Sequence, residues 1–194
     1  MSRRAGPRAA VLLATLLAVA WASGEGRADG QRAERAVRLV DRPLVDTDGR
    51  RHRFVSDLVG RGVVVVSFTF TACSTLCPPS DLVMDALAAR VRAVDGGVRL
   101  VTLTLDPVTD TPEVLARERA RHSDAGRLFL TGDPRDVWAV LDGLGVAPTR
   151  DQDHDVEFLV FSAGGSRVHP LPGLVSPQDL DAAVRQAAGR GAAR

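Results

Sequence analysis

Residues 63–80, VVVVSFTFTACSTLCPPS, join an apolar segment to the only two cysteines of the chain. Residues 63–70 are mainly β-branched and aromatic, which is typical of a strand buried on both faces. Cys73 and Cys77 follow this segment directly, and apolar residues then recur at helical spacing. The order of strand, cysteine turn and helix predicts that both sulfurs lie together at the end of the strand.

The rest of the chain alternates predicted strands and helices. An Asp-Gly turn within residues 44–54 predicts a hairpin. The helix after Cys77 has an apolar pattern of Leu82, Val83, Ala86, Leu87, Val91 and Val94, and Gly96-Gly97 ends it. Further strands are predicted over residues 98–105, 128–130, 156–161 and 167–171. Further helices are predicted from Thr111 onwards and over residues 134–144 and 176–188. We therefore expect an α/β, thioredoxin-like fold with a central mixed β-sheet flanked by helices and an extra N-terminal β-hairpin.

The N-terminus predicts export. Residues 1–8 carry three arginines and no acid, and residues 9–22 are apolar and end in Ala-Trp-Ala. This is the layout of a signal peptide over residues 1–22. An uncleaved anchor is the alternative, although 14 apolar residues fall short of the roughly 20 that span a bilayer. Residues 23–36 are expected to form a flexible tether, and residues 37–190 a single domain.

Composition indicates where the protein works and excludes one class of partner. The chain has no Lys, Asn, Ile or Tyr, residues whose codons are AT-rich, and this indicates a GC-rich bacterial genome. We therefore expect a periplasmic or extracytoplasmic protein, with the N-terminus able to hold it near the membrane. The chain has 25 basic and 24 acidic residues; without the three arginines of residues 1–22 its formal charge is about −2, which gives no support for nucleic-acid binding.

The two cysteines carry the chemistry of this chain. A sulfur at the first turn of a helix is expected to favour the thiolate, because the helix dipole and unpaired backbone N–H groups stabilise it. Thiolates attack disulfides and also bind soft metals. A spacing of four allows both uses of Cys73 and Cys77, and a metal site would need a third ligand.

The four histidines are the candidates for that ligand. His154 lies between Asp153 and Asp155, whose carboxylates could orient it and raise its basicity. His122 is expected to be a solvated cap at the end of an Arg-rich helix, and neither His52 nor His169 has a supporting pattern. Two thiolates and one imidazole suit Cu(I), or Cu(II) with a further ligand, whereas zinc usually takes four ligands.

Four motifs in order resemble those of the Sco/SenC copper chaperones. Cys73 to Pro78 resembles the Cys-x-x-x-Cys-Pro motif of that family. Residues 106–112 are similar to the Asp-Pro and Asp-Thr-Pro segment of that family. Residues 130–132 match its Leu-Thr-Gly, and residues 153–154 match the Asp-His that contains its ligand histidine. Ser74 stands where the family often has Pro, and Asp155 where it often has Ser. The resemblance runs from about residue 45 to the last helix.

The resemblance implies one bound copper ion, as Cu(I) or Cu(II), held by Cys73, Cys77 and His154, with Asp153 and Asp155 supporting the histidine. It implies a metallochaperone that delivers copper to, or matures, the binuclear copper centre of a cytochrome c oxidase. The partner would be an oxidase subunit or another copper chaperone. The alternative is a thiol–disulfide oxidoreductase that acts on cysteines of a copper-protein partner, with Cys73 and Cys77 as its redox pair.

Overall fold

The computed structural model describes residues 37–75, 77–91, 97–122, 126–147 and 156–189. The segments predicted as signal (1–22) and tether (23–36) lie outside these ranges, as do His154 and its neighbours Asp153 and Asp155. In the part of the chain that is described, no helix is both long and apolar enough to cross a membrane.

Seven strands and four α-helices form within the described ranges, in the predicted order. Three short helical turns that were not predicted lie between them: a π-helix at Phe54–Leu58 and 3₁₀-helices at Val59–Arg61 and Ala163–Gly165. The strands are β1 (Pro43–Asp46), β2 (Arg51–Arg53), β3 (Val63–Thr69), β4 (Val98–Thr104), β5 (Leu128–Thr131), β6 (Glu157–Phe161) and β7 (Val168–Pro172). The helices are α1 (Cys77–Val91), α2 (Pro112–Arg119), α3 (Pro134–Leu144) and α4 (Pro177–Gly189). The predicted α/β class is confirmed.

All seven strands belong to one mixed sheet in the order β2-β1-β5-β4-β3-β6-β7. The three central strands β5, β4 and β3 are parallel to one another. β6 is antiparallel to β3 on one side, and β1 is antiparallel to β5 on the other. The predicted N-terminal hairpin, β1 and β2, therefore extends the sheet at one edge.

β3 is buried along its whole length, as its sequence predicts. Val64 and Val66 point into a core that contains α3 residues such as Val137. Val63 and Val65 point into the core on the other face, which α1 and α4 cover. Since neighbouring side chains of a strand alternate between faces, this run of valines joins both cores.

The helix ends follow local sequence signals. The Thr111 hydroxyl accepts a hydrogen bond from the backbone N–H of Val114, which caps α2 as predicted. Ser176 caps α4 in the same way, with its Oγ 3.2 Å from the backbone nitrogen of Asp179. One prediction for α1 was wrong. Leu82 belongs to the apolar pattern, but it is 70% exposed because its face of the helix borders an open cavity.

Candidate metal centre

The end of β3 presents both cysteines at one point. The segment that follows β3, residues 70–75, is called the cysteine loop below, and α1 begins at Cys77. The backbone N–H of Cys77 donates a hydrogen bond to Cys73 Sγ at 3.2 Å. Cys73 is half-buried, Cys77 is 4% exposed, and both are thiols. The predicted juxtaposition of the pair is confirmed.

Asp110 fastens the cysteine loop to the sheet. Its carboxylate accepts hydrogen bonds from the backbone N–H of Thr71 at 3.2 Å and from the Thr71 hydroxyl. It also accepts one from the Thr104 hydroxyl at the end of β4. The Asp110 side chain is buried, and its backbone N–H donates to the carbonyl of Asp106. Sequence analysis identified residues 106–112 as a motif but missed this anchoring role, which only the pairing of β3 with β4 reveals.

Burial overrides the expected effect of the helix N-terminus on Cys77. Desolvation, reinforced by the neighbouring sulfur of Cys73, raises the pKa of the Cys77 thiol from 9.0 to about 12. Hydrogen bonds involving Phe70 and Thr69 act in the opposite direction and are outweighed. The prediction that the helix start favours the thiolate was therefore wrong for Cys77, which is a neutral thiol at neutral pH.

A cavity of about 320 Å³ opens beside the two cysteines. Thiols and carboxylates share its wall, which is lined by Thr69, Phe70, Thr71, Cys73, Cys77, Pro78, Asp81, Leu82, Asp85, Glu118, Arg121 and His122. Two classes of metal ligand thus meet in one space: soft sulfur from the cysteines, and oxygen and nitrogen from the carboxylates and His122.

His122 is not the solvated cap that its sequence context suggested. Its side chain is 10% exposed, and its ring stacks on Phe129 with the centroids 5.5 Å apart. Nδ1 lies 3.1 Å from Asp85 Oδ2. α2 ends at Arg119, and the following turn brings His122 back against the acidic side of α1. Asp85 is 37 positions away in sequence, so no local signal could have indicated this contact.

The other two described histidines lie away from the cysteines. His52 is on the edge strand β2, where its Nε2 is 2.8 Å from Asp46 Oδ2. His169 is on the opposite edge strand, β7. Neither lines the cavity.

His154 has no described position, but the strand that follows it does. β6 begins at Glu157, and its pairing with β3 is antiparallel, with Val66 opposite Leu159. The amino end of β6 therefore lies beside the carboxyl end of β3, where the cysteine loop begins. The structure leaves the ligand role of His154 a prediction.

A family model and a curated relative match this chain. The family model described as SCO1/SenC matches residues 39–189. A relative from Bacillus subtilis (strain 168), named SCO1 protein homolog, is 35% identical over 72 residues. That match covers 36% of this chain and 37% of the relative, so the chain spans little more than a third of this relative's length.

Two solved structures share the fold. The structure of BsSco, described as a member of the Sco family of cytochrome c oxidase assembly proteins with a disulfide switch, has a TM-score of 0.68 at 21% identity. It covers 80% of this chain and 96% of BsSco. Arabidopsis thaliana ScoI with copper bound has a TM-score of 0.68 at 20% identity, covering 77% of this chain and 97% of that one. These similarities confirm the predicted thioredoxin-like fold.

Proposed function

The chain belongs to the SCO1/SenC family, and from this premise we propose that it is an exported copper metallochaperone for the binuclear copper centre of a cytochrome c oxidase. One copper ion is the cargo, and Cys73, Cys77 and His154 hold it. The observation that carries the proposal is the pair of thiols at the wall of an open cavity, beside a helix N-terminus. Such a site is accessible enough for an ion to enter and to leave.

The described ligands match the chemistry of copper. Two thiolates are soft ligands, which favour Cu(I), and an added imidazole completes a three-coordinate set. Copper binding must displace the proton of Cys77, since burial keeps that thiol neutral. Affinity for copper should therefore rise with pH.

Topology supports His154 as the third ligand. It precedes Glu157, the first residue of β6, by three positions, and three residues reach at most about 11 Å. The start of β6 lies beside the carboxyl end of β3, where the cysteine loop begins. Since the loop contains Cys73, a histidine only three positions before β6 can reach the thiols. Asp153 and Asp155 are proposed to support it from either side.

Unequal burial of the thiols suggests how copper would pass to a partner. Cys73 is half-buried and Cys77 is buried, so an incoming partner thiolate meets the Cys73 side of the site first. Exchange would proceed by one partner cysteine binding as one ligand of this chain leaves. The partner is proposed to be an oxidase subunit or another copper chaperone.

The same unequal burial favours a second candidate function, thiol–disulfide exchange on a partner's copper-binding cysteines. Cys73 is the accessible thiol, and its sulfur accepts a hydrogen bond from the Cys77 backbone. It could attack a partner disulfide, and Cys77 would then resolve the mixed disulfide. Each reduced partner disulfide would leave Cys73 and Cys77 oxidised to a disulfide, so turnover needs a thiol reductant.

Copper titration of ligand variants separates the two functions. We expect the wild-type protein to bind one Cu(I), and Cys73→Ser, Cys77→Ser and His154→Ala each to weaken binding at least tenfold. His52→Ala is the matched control, because it removes a histidine from the far edge of the sheet. The loaded protein should then transfer copper to the metal-free copper-binding domain of an oxidase subunit. Unchanged affinity in His154→Ala would refute the ligand set, and disulfide reduction without copper binding would favour the oxidoreductase.

Export and domain organisation are tested separately. We propose that residues 1–22 direct export, that residues 23–36 tether the domain, and that residues 37–190 form the copper-binding unit. N-terminal sequencing of protein from the extracytoplasmic fraction should find cleavage close to residue 22. An intact N-terminus in the membrane fraction would instead identify an anchor, and retention in the cytoplasm would contradict both outcomes.

A further inference from the structure

A second group of metal-ligating side chains lines the same cavity as the cysteines. Asp81 on α1, Glu118 on α2 and His122 after α2 each offer one ligand atom, and these three atoms lie within 4.8 Å of one another. The side chains are 7%, 18% and 10% exposed. We call these three residues the carboxylate–histidine cluster.

His122 shows that the cluster lacks a component. Its Nδ1 lies 3.1 Å from Asp85 Oδ2, so in the neutral ring that donates to Asp85 the lone pair is on Nε2. Nε2 is buried and has no hydrogen-bond partner among the described residues. A buried nitrogen without a partner is destabilising. A metal ion bound at Nε2 would satisfy it, and a carboxylate on the other ring nitrogen is the usual companion of a metal-bound histidine.

Both carboxylates are oriented in the same manner. Asp81 uses Oδ1 to pair with Arg127 and directs Oδ2 to within 3.8 Å of His122 Nε2. Glu118 uses Oε2 to pair with Arg121 at 2.8 Å and directs Oε1 to within 3.8 Å of the same nitrogen. Each of the three side chains thus has one polar atom bound to a neighbouring residue and a second polar atom directed towards the other two side chains of the cluster.

The spacing of these atoms fits a small cation. Two ligands of a tetrahedral zinc ion, at bond lengths of 2.0–2.2 Å, lie about 3.4 Å apart. The separations of 3.8 Å from Nε2 to each carboxylate oxygen need to contract by about 0.4 Å to reach this value. The two carboxylate oxygens lie within 4.8 Å of each other, so their separation needs to contract by at most about 1.4 Å. The open cavity provides room for a water molecule as the fourth ligand.

The charge balance also favours a cation. Three carboxylates, Asp81, Asp85 and Glu118, surround His122, and two guanidiniums, Arg121 and Arg127, contact them. With a neutral imidazole the group carries one net negative charge. Arg127 is fully buried on the sheet side, so an added ion would approach from the cavity.

We propose that the carboxylate–histidine cluster binds one divalent transition-metal cation of borderline softness, such as Zn²⁺ or Cu²⁺. One imidazole and two carboxylates suit these ions, whereas Cu(I) prefers the thiols. The site uses none of the residues assigned to the proposed copper function, although the two sites share one cavity.

Zinc titration without the proposed copper ligands tests the site. In a Cys73→Ser/Cys77→Ser/His154→Ala background, calorimetry with Zn²⁺ should give one site per chain. We expect His122→Gln to abolish it and Glu118→Gln, which keeps the side-chain size, to weaken it at least tenfold. Asp85→Asn should weaken it roughly 10–100-fold, as loss of an outer partner does at other metal sites.

Two further measurements keep the test decisive. His52→Gln is the matched control and should change nothing, because that histidine contacts a single carboxylate in the hairpin. Cu²⁺ bound in the same background should show nitrogen coupling from one imidazole by electron paramagnetic resonance, lost in His122→Gln. Circular dichroism shows which variants fold. If His122→Gln does not fold, Glu118→Gln tests the site in its place. Failure to saturate with Zn²⁺, or equal affinity in Glu118→Gln and its parent, would overturn the proposal.

Discussion

Cys77 should remain a neutral thiol in the folded, metal-free protein well above the pH at which ordinary cysteines ionise. Burial at the start of α1 raises its pKa from 9.0 to about 12. This rise in pKa corresponds to about 4 kcal/mol in favour of the protonated form. At pH 10.5 a thiol with a pKa of 12 is about 3% ionised, whereas one with a pKa of 9.0 is about 97% ionised.

The thiolate absorbs near 240 nm, so a spectroscopic titration measures this directly. Cys73→Ser leaves Cys77 as the sole thiol, and burial, the larger cause of the shift, remains. We expect almost no absorbance change up to about pH 10.5 in the folded variant. In about 6 M guanidinium chloride the same variant should titrate near the ordinary value of roughly 8.5. A midpoint at or below pH 9 in the folded variant would refute the argument from burial.

The raised pKa of Cys77 also predicts the direction of two pH effects. Between pH 9 and 12 the unfolded chain has lost the Cys77 proton and the native chain has kept it, so this group lowers the free energy of unfolding as pH rises through that range. Copper affinity changes in the opposite direction, gaining about tenfold per pH unit from Cys77 alone. A copper affinity that levels off above pH 9 would show that Cys77 loses its proton near the ordinary pKa of cysteine and that burial does not raise it.

Three further substitutions test the contacts around the site by chemical denaturation. Asp110→Ala should lower the free energy of unfolding by about 1–3 kcal/mol and weaken copper binding, because it removes the acceptor for the buried Thr104 hydroxyl and for the part-buried backbone N–H of Thr71 in the cysteine loop; unchanged values for both would contradict the anchoring role. Arg127→Met should lower the free energy of unfolding by about 3–5 kcal/mol, since it leaves the Asp81 carboxylate buried without its guanidinium partner. A decrease below about 1 kcal/mol would argue against a stabilising Arg127–Asp81 ion pair. Gly143→Ala should destabilise the fold, because a Cβ would lie 2.2 Å from the backbone carbonyl of Arg38; a neutral effect would show that this segment moves freely.

The sequence predicts the elements well where the signal is local. The valines of β3, the Asp-Gly turn of the hairpin and the Thr-Pro start of α2 each depend on residues within a few positions of one another. Gly49, with φ of 78°, occupies the left-handed position that such a turn requires. α3 begins and ends at the residues predicted, because Asp133 caps its start and Gly145 follows its end in a left-handed conformation.

The errors arose where distant segments meet. The environment of His122 depends on α1 and β5, and the burial of Cys77 depends on the cores beneath β3, so local sequence indicated a solvated cap and an acidic thiol. Arg127 depends on distant segments in the same way. It is fully buried because Asp81, Asp85 and Thr102 satisfy its guanidinium.

The burial that keeps Cys77 protonated also links release of a bound ion to proton uptake. On the proposed ligand set, copper leaving Cys77 allows the thiol to regain its proton. Because burial raises the pKa of that thiol to about 12, the released thiol is neutral at pH 7 and cannot bind the ion again until it loses the proton. A partner thiolate that replaces Cys77 on the ion is therefore not displaced in turn by a free Cys77 thiolate. Transfer should take up one proton at Cys77 for each ion that passes to the partner.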